Sequence, residues 1–460
     1  MLTRLEIDGF KNLLNFSVDF GPFTCIAGLN GVGKSNIFDA IRFISILSEK
    51  QILEAALDVR DANTDGEPED IFYTDGKQRV DTIKFAVEMI VPKKVIDDFG
   101  REAEATSSFL RYEVEIGYQK SNNEHMKSML YLKHESLSYI KKGDATKKLS
   151  FKHTVNTFRD SVIYNNRRSN EYISTNIAED NITEISLHID GGKGRPQKIR
   201  ANKSPKTIVA TINSSEFPTV LAAKREMQSW RLLALEPSAM RRSNKLYEDS
   251  VITFNGDHLA STLYKLWQKD DDVYARVTAK LNDILPAKEL KVDVDTARQL
   301  LTLQLKERAG AFIPARSLSD GTLRFLTLSI MSEDPEFQGL LCFEEPENGI
   351  HPAKIPAMYE LLKELVVDTD ECVDNENPMR QMIIATHSPI MVQLQNENDL
   401  VYADVVKVKG PFEYPATTLR CRPLPNTWRQ GTTESISKMS IVAYLRHPIG
   451  AQLSLFDEDE

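Results

Sequence analysis

Apolar positions along the chain repeat with two different periods. Leu2 to Ile7 reads as an opening strand, and Phe23-Thr24-Cys25-Ile26-Ala27 as a short buried one. Ile37, Ala40, Ile41, Ile44 and Leu47 then recur at helical spacing. Period two takes over in the next stretch. Ile83, Phe85, Val87, Met89 and Val91 face one way, as do Leu110, Tyr112, Val114, Ile116 and Tyr118, and again Ile185, Leu187 and Ile189. Such alternation predicts half-buried strands of an antiparallel sheet. The segment from about Ser214 to Trp230 turns helical, and so does Asp257 to Leu281, with Leu259, Leu263, Leu266 and Trp267 on one face. Leu323, Phe325, Leu326, Leu328 and Ile330 mark a further apolar helix. Gly339 to Phe343 and Gln381 to Thr386 are apolar runs that read as core strands. Strands and helices at both ends, with a strand-rich and then helical stretch between, predict an α/β fold whose sequence halves are split by an insertion.

Chemistry enters at the ends of these elements. Gly28-Leu29-Asn30-Gly31-Val32-Gly33-Lys34-Ser35 fits the G-x-x-x-x-G-K-[ST] phosphate-binding loop, and it lies between a strand and a helix as that loop requires. Its glycines let backbone N–H groups turn inward, and the helix N-terminus adds a positive dipole end. Lys34 is placed to reach the β- and γ-phosphates, and the Ser35 hydroxyl to hold Mg²⁺. The run Gly339–Phe343 delivers Glu344 and Glu345 to its C-terminal tip, where open α/β sheets place ligands. One carboxylate there can hold Mg²⁺ through water, and the next can polarise an attacking water. The third run ends at His387, which can contact a γ-phosphate. Leu318-Ser319-Asp320-Gly321-Thr322 opens a helix with a serine and a glycine, which makes an anion site, although by itself it reads as an N-capped core helix.

In this order the motifs resemble the ABC-type ATPase head, in the flavour of the RecF, SMC and OLD-like ATPases. Ile7-Asp8-Gly9-Phe10-Lys11-Asn12 is similar to the first strand and turn of that group. Gly28 to Asn36 resembles its P-loop, and Glu345-Pro346-Glu347-Asn348-Gly349-Ile350-His351-Pro352 its Walker B and D-loop string. Glu236-Pro237-Ser238-Ala239-Met240-Arg241 and Gly256 to Ala260 look like the compact members. The resemblance implies a P-loop NTPase head with a strand-rich lobe and a helical insertion between P-loop and signature. Its expected parts are residues 1–92 and 301–445 for the two halves of the head, 93–300 for the lobe and insertion, and 446–460 for a tail. It also implies ATP and Mg²⁺ as ligands. Gly28, Asn30, Gly31, Gly33, Lys34, Ser35 and Asn36 would cradle phosphates, Ser35 and Glu344 hold the metal, and Glu345 orient water. His387 would sense the γ-phosphate, and Lys11 lie near the nucleotide. Ser319 and Gly321 would act from a second copy in an ATP-gated dimer. Two positions depart from the pattern: Glu344 stands where the family usually has Asp, and the signature is Ser-Asp-Gly-Thr rather than Ser-Gly-Gly-Gln. The resemblance leaves the Q-loop glutamine unassigned, with Gln78, just before the strand at Thr82–Val91, the nearest candidate.

Composition narrows the setting. In 460 residues with 41% hydrophobic content no stretch approaches a membrane span. Cys25, Cys342, Cys372 and Cys421 form no C-x-x-C pair, as expected of a reducing cytoplasm. More than 280 residues separate P-loop from signature, without sustained heptads. Charge is uneven. Between Tyr139 and Lys206 lie 14 Lys and Arg against 7 Asp and Glu, in a chain of net charge −10. The basic residues include Arg167, Arg168 and the glycine-rich stretch of Lys193, Arg195, Lys198 and Arg200. That loop set reads as a DNA surface, a face for an acidic protein, or plain solvated loops. In the tail, Gln452-Leu453-Ser454-Leu455-Phe456 matches the bacterial sliding-clamp peptide; the other reading is a last strand packed on the body. After His387 the only D-x-D string is Asp457-Glu458-Asp459, so a nuclease effector is expected on a separate chain. The expected function is the sensor ATPase of a bacterial anti-phage system. Against it stand a RecF-like repair ATPase at the clamp, a transporter ATPase and a non-hydrolysing ATP-binding scaffold.

Overall fold

The computed structural model describes residues 1–59, 67–119, 129–166, 171–177, 183–190, 194–201, 204–307, 310–412, 414–429 and 435–446. The clamp-like string Gln452–Phe456, Arg167, Arg168 and Lys193 lie outside the described residues. The fold is mixed α/β, as the sequence leads one to expect. By packing the chain divides into two compact units. The first comprises Met1–Trp230, Asp368–Val373 and Glu397–Ser437, and the second Arg231–Val367, Asp374–Asn396 and the chain from Lys438.

The first unit is built on an eight-stranded antiparallel sheet. From one edge its order is Gln197–Arg200, Thr183–Leu187, Ile173–Ile177, Met129–Tyr139, Phe109–Gln119, Thr82–Ile90, Leu2–Asp8 and Phe16–Asp19. The alternating residues set the register: Leu5 stands opposite Val87 and Ile7 opposite Phe85, so one apolar face runs across strands. That face packs on the helix Lys34–Leu47. Phe10, Phe43 and Phe85 form a ring trio with centroids 5.4–5.8 Å apart, each pair worth about 0.5–1.5 kcal/mol beyond its buried area. The strand Phe23–Ala27, buried throughout, runs parallel to Leu400–Lys409, which pairs antiparallel with Pro415–Pro423.

In the second unit three parallel strands lie in the order Arg231–Leu233, Gly339–Glu344, Arg380–Thr386. Around them are the helices Leu259–Lys269, Val273–Leu281, Asp320–Glu333 and Ile355–Glu364. A hairpin, Ala287–Asp295 with Leu300–Glu307, completes the unit.

Three details differ from the sequence reading. The helical span Asp257–Leu281 is two helices broken at Asp270, where φ is −150° and ψ 109°. The Asp270 carboxylate accepts from the Asp272 backbone N–H at 3.0 Å, a local bond that competes with helix propagation. Ile189 falls beyond its strand, which ends at Leu187, and is 40% exposed. The basic stretch read as loop contains the edge strand Gln197–Arg200, where Lys198 is paired with Glu184 at 2.9 Å. That carboxylate offsets the Lys198 charge; Arg195 and Arg200 are the other described basic residues of the stretch. No helix among the described residues is long and apolar enough to cross a membrane. Cys25, Cys342 and Cys421 are buried, and Cys372 is exposed.

Candidate functional site

Residues 28–33 leave the buried strand Phe23–Ala27 and enter the helix Lys34–Leu47 through a turn that only glycine permits at two points. At Gly28 a Cβ would lie 2.5 Å from the Ala403 carbonyl oxygen. At Gly33 φ is +105°, and a Cβ would run into the Asn12 amide. Asn12 threads the loop from outside. Its Nδ2 donates to the Val32 carbonyl at 3.2 Å, and its Oδ1 accepts from Asn36 Nδ2 at 2.7 Å. Lys11 stands next to it, bonded to Asp39 at 2.6 Å. The helix that follows has Gly33 as its N-cap, no side-chain cap and no acidic residue in its first turn. Its dipole end is therefore open to an anion. Lys34, 7% exposed, folds over the loop and donates to the carbonyls of Gly28 and Leu29, both at 2.7 Å. A buried ammonium set against neutral carbonyls at an uncapped helix start fits a polyphosphate. Beside it opens a cleft of about 780 Å³, lined by Lys11, Asn12, Asn36, Phe72, Tyr73 and Thr417 among others.

The second unit assembles the acidic part. Glu344 ends its strand exposed, and Ser35, the other expected metal ligand, belongs to the first unit. Glu345 sits at φ +47°, uncommon for a residue with a side chain. Two backbone bonds hold it there: its N–H donates to Ala385 O at 2.8 Å, and its carbonyl accepts from Asn348 N at 3.0 Å. Its carboxylate accepts from Asn348 Nδ2 at 2.5 Å and lies 2.7 Å from His387 Nδ1. The histidine nitrogen is within ion-pair distance but off the line of a hydrogen bond. The two tips thus bring Glu345 and His387 together, as adjacent parallel strands of matched register require.

The signature loop is held rigidly. Ser319 caps its helix by accepting from Thr322 N, and its side chain remains exposed. A Cβ on Gly321 would come 2.8 Å from the Gly349 carbonyl, so the helix start packs directly on the turn after Glu347. Arg241 clamps the loop by donating to Leu318 O at 3.0 Å and to Asp320 Oδ1 at 2.5 Å.

Arg241, Asn348, Glu347 and Thr386 escaped selection from the sequence as site residues. Arg241, Glu347 and Asn348 lie inside the strings that resemble the family, their only signal, and Thr386 ends an apolar run. Burial pushes the Glu347 carboxyl above its usual range, opposed by the hydrogen bond it accepts from Thr386.

A family profile described as "AAA ATPase domain" matches residues 1–392. No curated protein matches the chain. Among solved structures it is similar to an SMC head bound to the C-winged helix domain of ScpA, at 14% identity and TM-score 0.48, covering 92% of this chain and 98% of that one. The SMC head domain from Thermotoga maritima gives 12% identity and TM-score 0.37, covering 92% and 98%. An SMC head with an extended coiled coil, bound to the C-terminal domain of ScpA from Pyrococcus furiosus, gives 12% and 0.44, covering 92% and 96%.

Proposed function

The chain belongs to the AAA ATPase domain family, and on that premise we propose that it binds and hydrolyses ATP as an ATP-gated pair of heads. The observation that carries this reading is the open cradle at Gly28–Ser35, with Lys34 buried over an uncapped helix start. Gly28, Asn30, Gly31, Gly33, Lys34 and Asn36 receive the phosphates through backbone N–H groups, the ammonium and the amide. Ser35 and, through water, Glu344 would hold Mg²⁺, whose charge neutralises phosphate oxygens. The extra methylene of Glu344 relative to Asp is absorbed by such a water. Glu345 orients and polarises the attacking water, and His387 contacts the γ-phosphate from the neighbouring tip.

Ser319 and Gly321 serve a second copy. Ser319 is exposed at the start of a helix fixed by Arg241 and by close packing on Gly349. A rigid, outward helix N-terminus suits the γ-phosphate of a partner head, and ATP bound between heads favours the closed pair. The biological role we propose is the sensor ATPase of a bacterial anti-phage system acting through a separate effector. The string Gln452–Phe456 favours the alternative, a repair ATPase recruited to the sliding clamp. Arg195 and Arg200 on and beside the edge strand are the described residues for a DNA contact.

If the site is shared between copies, ATP turnover per chain should rise with protein concentration and level off as the pair saturates. Sedimentation should show about a doubling of mass with ATP under non-hydrolysing conditions. Concentration-independent turnover by a species that stays monomeric with ATP would rule the shared site out.

A further inference from the structure

The turn after Glu345 contains a carboxyl that the proposed phosphate chemistry leaves unused. Glu347 is 8% exposed. Its Oε1 accepts a hydrogen bond from the Thr386 hydroxyl, while its Oε2 is buried with no hydrogen-bond partner. Thr386, itself fully buried, ends the strand Arg380–Thr386 and accepts from the Ser388 backbone N–H at 2.9 Å. One hydroxyl therefore bonds on both sides of His387: across to Glu347, and forward to Ser388. On the other tip the turn is closed by Asn348 N to Glu345 O and by Ile350 N to Glu347 O, both at 3.0 Å. Glu347 is thus a side-chain tie between the turn that carries Glu345 and the turn that carries His387.

Packing alone does not call for such a tie. A buried carboxyl with one unpaired oxygen costs free energy, and an apolar pair of similar volume would fill the same space without that cost. The expense falls at the one place where the separation of Glu345 and His387, 2.7 Å between Oε1 and Nδ1, is set. Separations of this kind govern rate steeply, because misplacement of reacting groups by about 1 Å can cost about 10²-fold.

We propose that Glu347 is a positioning residue for hydrolysis: by holding Thr386 it fixes His387 against Glu345. This rests on the reading that Glu345 and His387 serve the hydrolytic step.

The test compares Glu347→Ala, Glu347→Gln, Thr386→Val and the double variant Glu347→Ala/Thr386→Val in the full chain. It measures phosphate release, ATP affinity and thermal unfolding. Each single truncation should lower kcat about 30-fold and leave ATP affinity within about twofold, the pattern of an interaction needed only for the chemical step. The double variant should fall no more than about twofold below either single one, because both cut the same tie. Glu347→Gln keeps a carbonyl oxygen for Thr386 and should recover to within about threefold of wild type. Should Glu347→Ala not fold, Thr386→Val and Glu347→Gln decide the matter, the first losing turnover and the second keeping it. The inference is overturned if folded truncations turn over within about twofold of wild type, if the double variant's loss is the product of the singles, or if affinity falls in step with kcat. Glu345→Gln run alongside separates the two levels. Full turnover by that variant removes the underlying reading. Its inactivity beside fully active Glu347→Ala and Thr386→Val removes this inference alone.

Discussion

Glu345→Gln should lower steady-state ATP turnover by about 10²–10³-fold, within the usual reach of general acid–base groups, and leave ATP binding intact. The substitution is nearly isosteric. The Gln carbonyl oxygen can still accept from Asn348 Nδ2, and the backbone bonds to Ala385 and Asn348 that hold φ at +47° are untouched. What disappears is the carboxylate charge that faces His387 Nδ1 at 2.7 Å and that, in the proposed role, attracts the proton of an attacking water. Trapped ATP should then accumulate closed pairs, visible as an ATP-dependent shift in size-exclusion elution. Phosphate release at the wild-type rate would show that water is activated elsewhere.

Lys34→Ala acts one step earlier. The ammonium is buried and donates to Gly28 O and Leu29 O, so it both shapes the loop and supplies its charge. Charge-assisted hydrogen bonds contribute about 1.5–3 kcal/mol each, so losing two toward phosphate should weaken ATP binding by about 10²–10⁴-fold. Calorimetric titration with ATP and Mg²⁺ measures this directly. An affinity unchanged from wild type would mean that the cradle is not where the triphosphate binds.

The parts legible in the sequence are those whose cause is local. The strand Phe23–Ala27 and the helix Lys34–Leu47 follow from an apolar run, a glycine loop and helical spacing, all within 25 residues of one another. The tips at Glu344 and Thr386 end runs that are buried along nearly their whole length. What escaped detection depends on distant partners. The strand Met129–Tyr139 reads as polar because it includes Glu135, yet Glu135 is fully buried. It accepts from Tyr112 OH at 3.1 Å and from the N–H groups of Ile208 and Val209 at 2.5 and 3.0 Å. Those donors lie 73 and 74 residues further on, or 23 back, where no periodicity can announce them. The strand Leu400–Lys409 changes from buried on both sides to alternating along its length, so neither strand pattern covers it whole. Glu347 looks like one more acid in a polar turn. Only Thr386, 39 residues away, gives it a task.

The proposed division of labour between two copies is tested most directly by mixing two chains that should each be inactive alone. Lys34→Ala alone lacks a working cradle, and Ser319→Arg alone blocks the signature it offers to a partner. A mixed pair contains one intact site, formed by the Lys34 cradle of the Ser319→Arg chain and the Ser319 helix of the Lys34→Ala chain. With random pairing, about half of the pairs are mixed and each has one of two sites, so the mixture should recover about a quarter of wild-type turnover, provided the sites act independently. Phosphate release measured across mixing ratios should peak at equal amounts. Turnover that never exceeds the sum of the two separate chains at any ratio would contradict a site shared between copies.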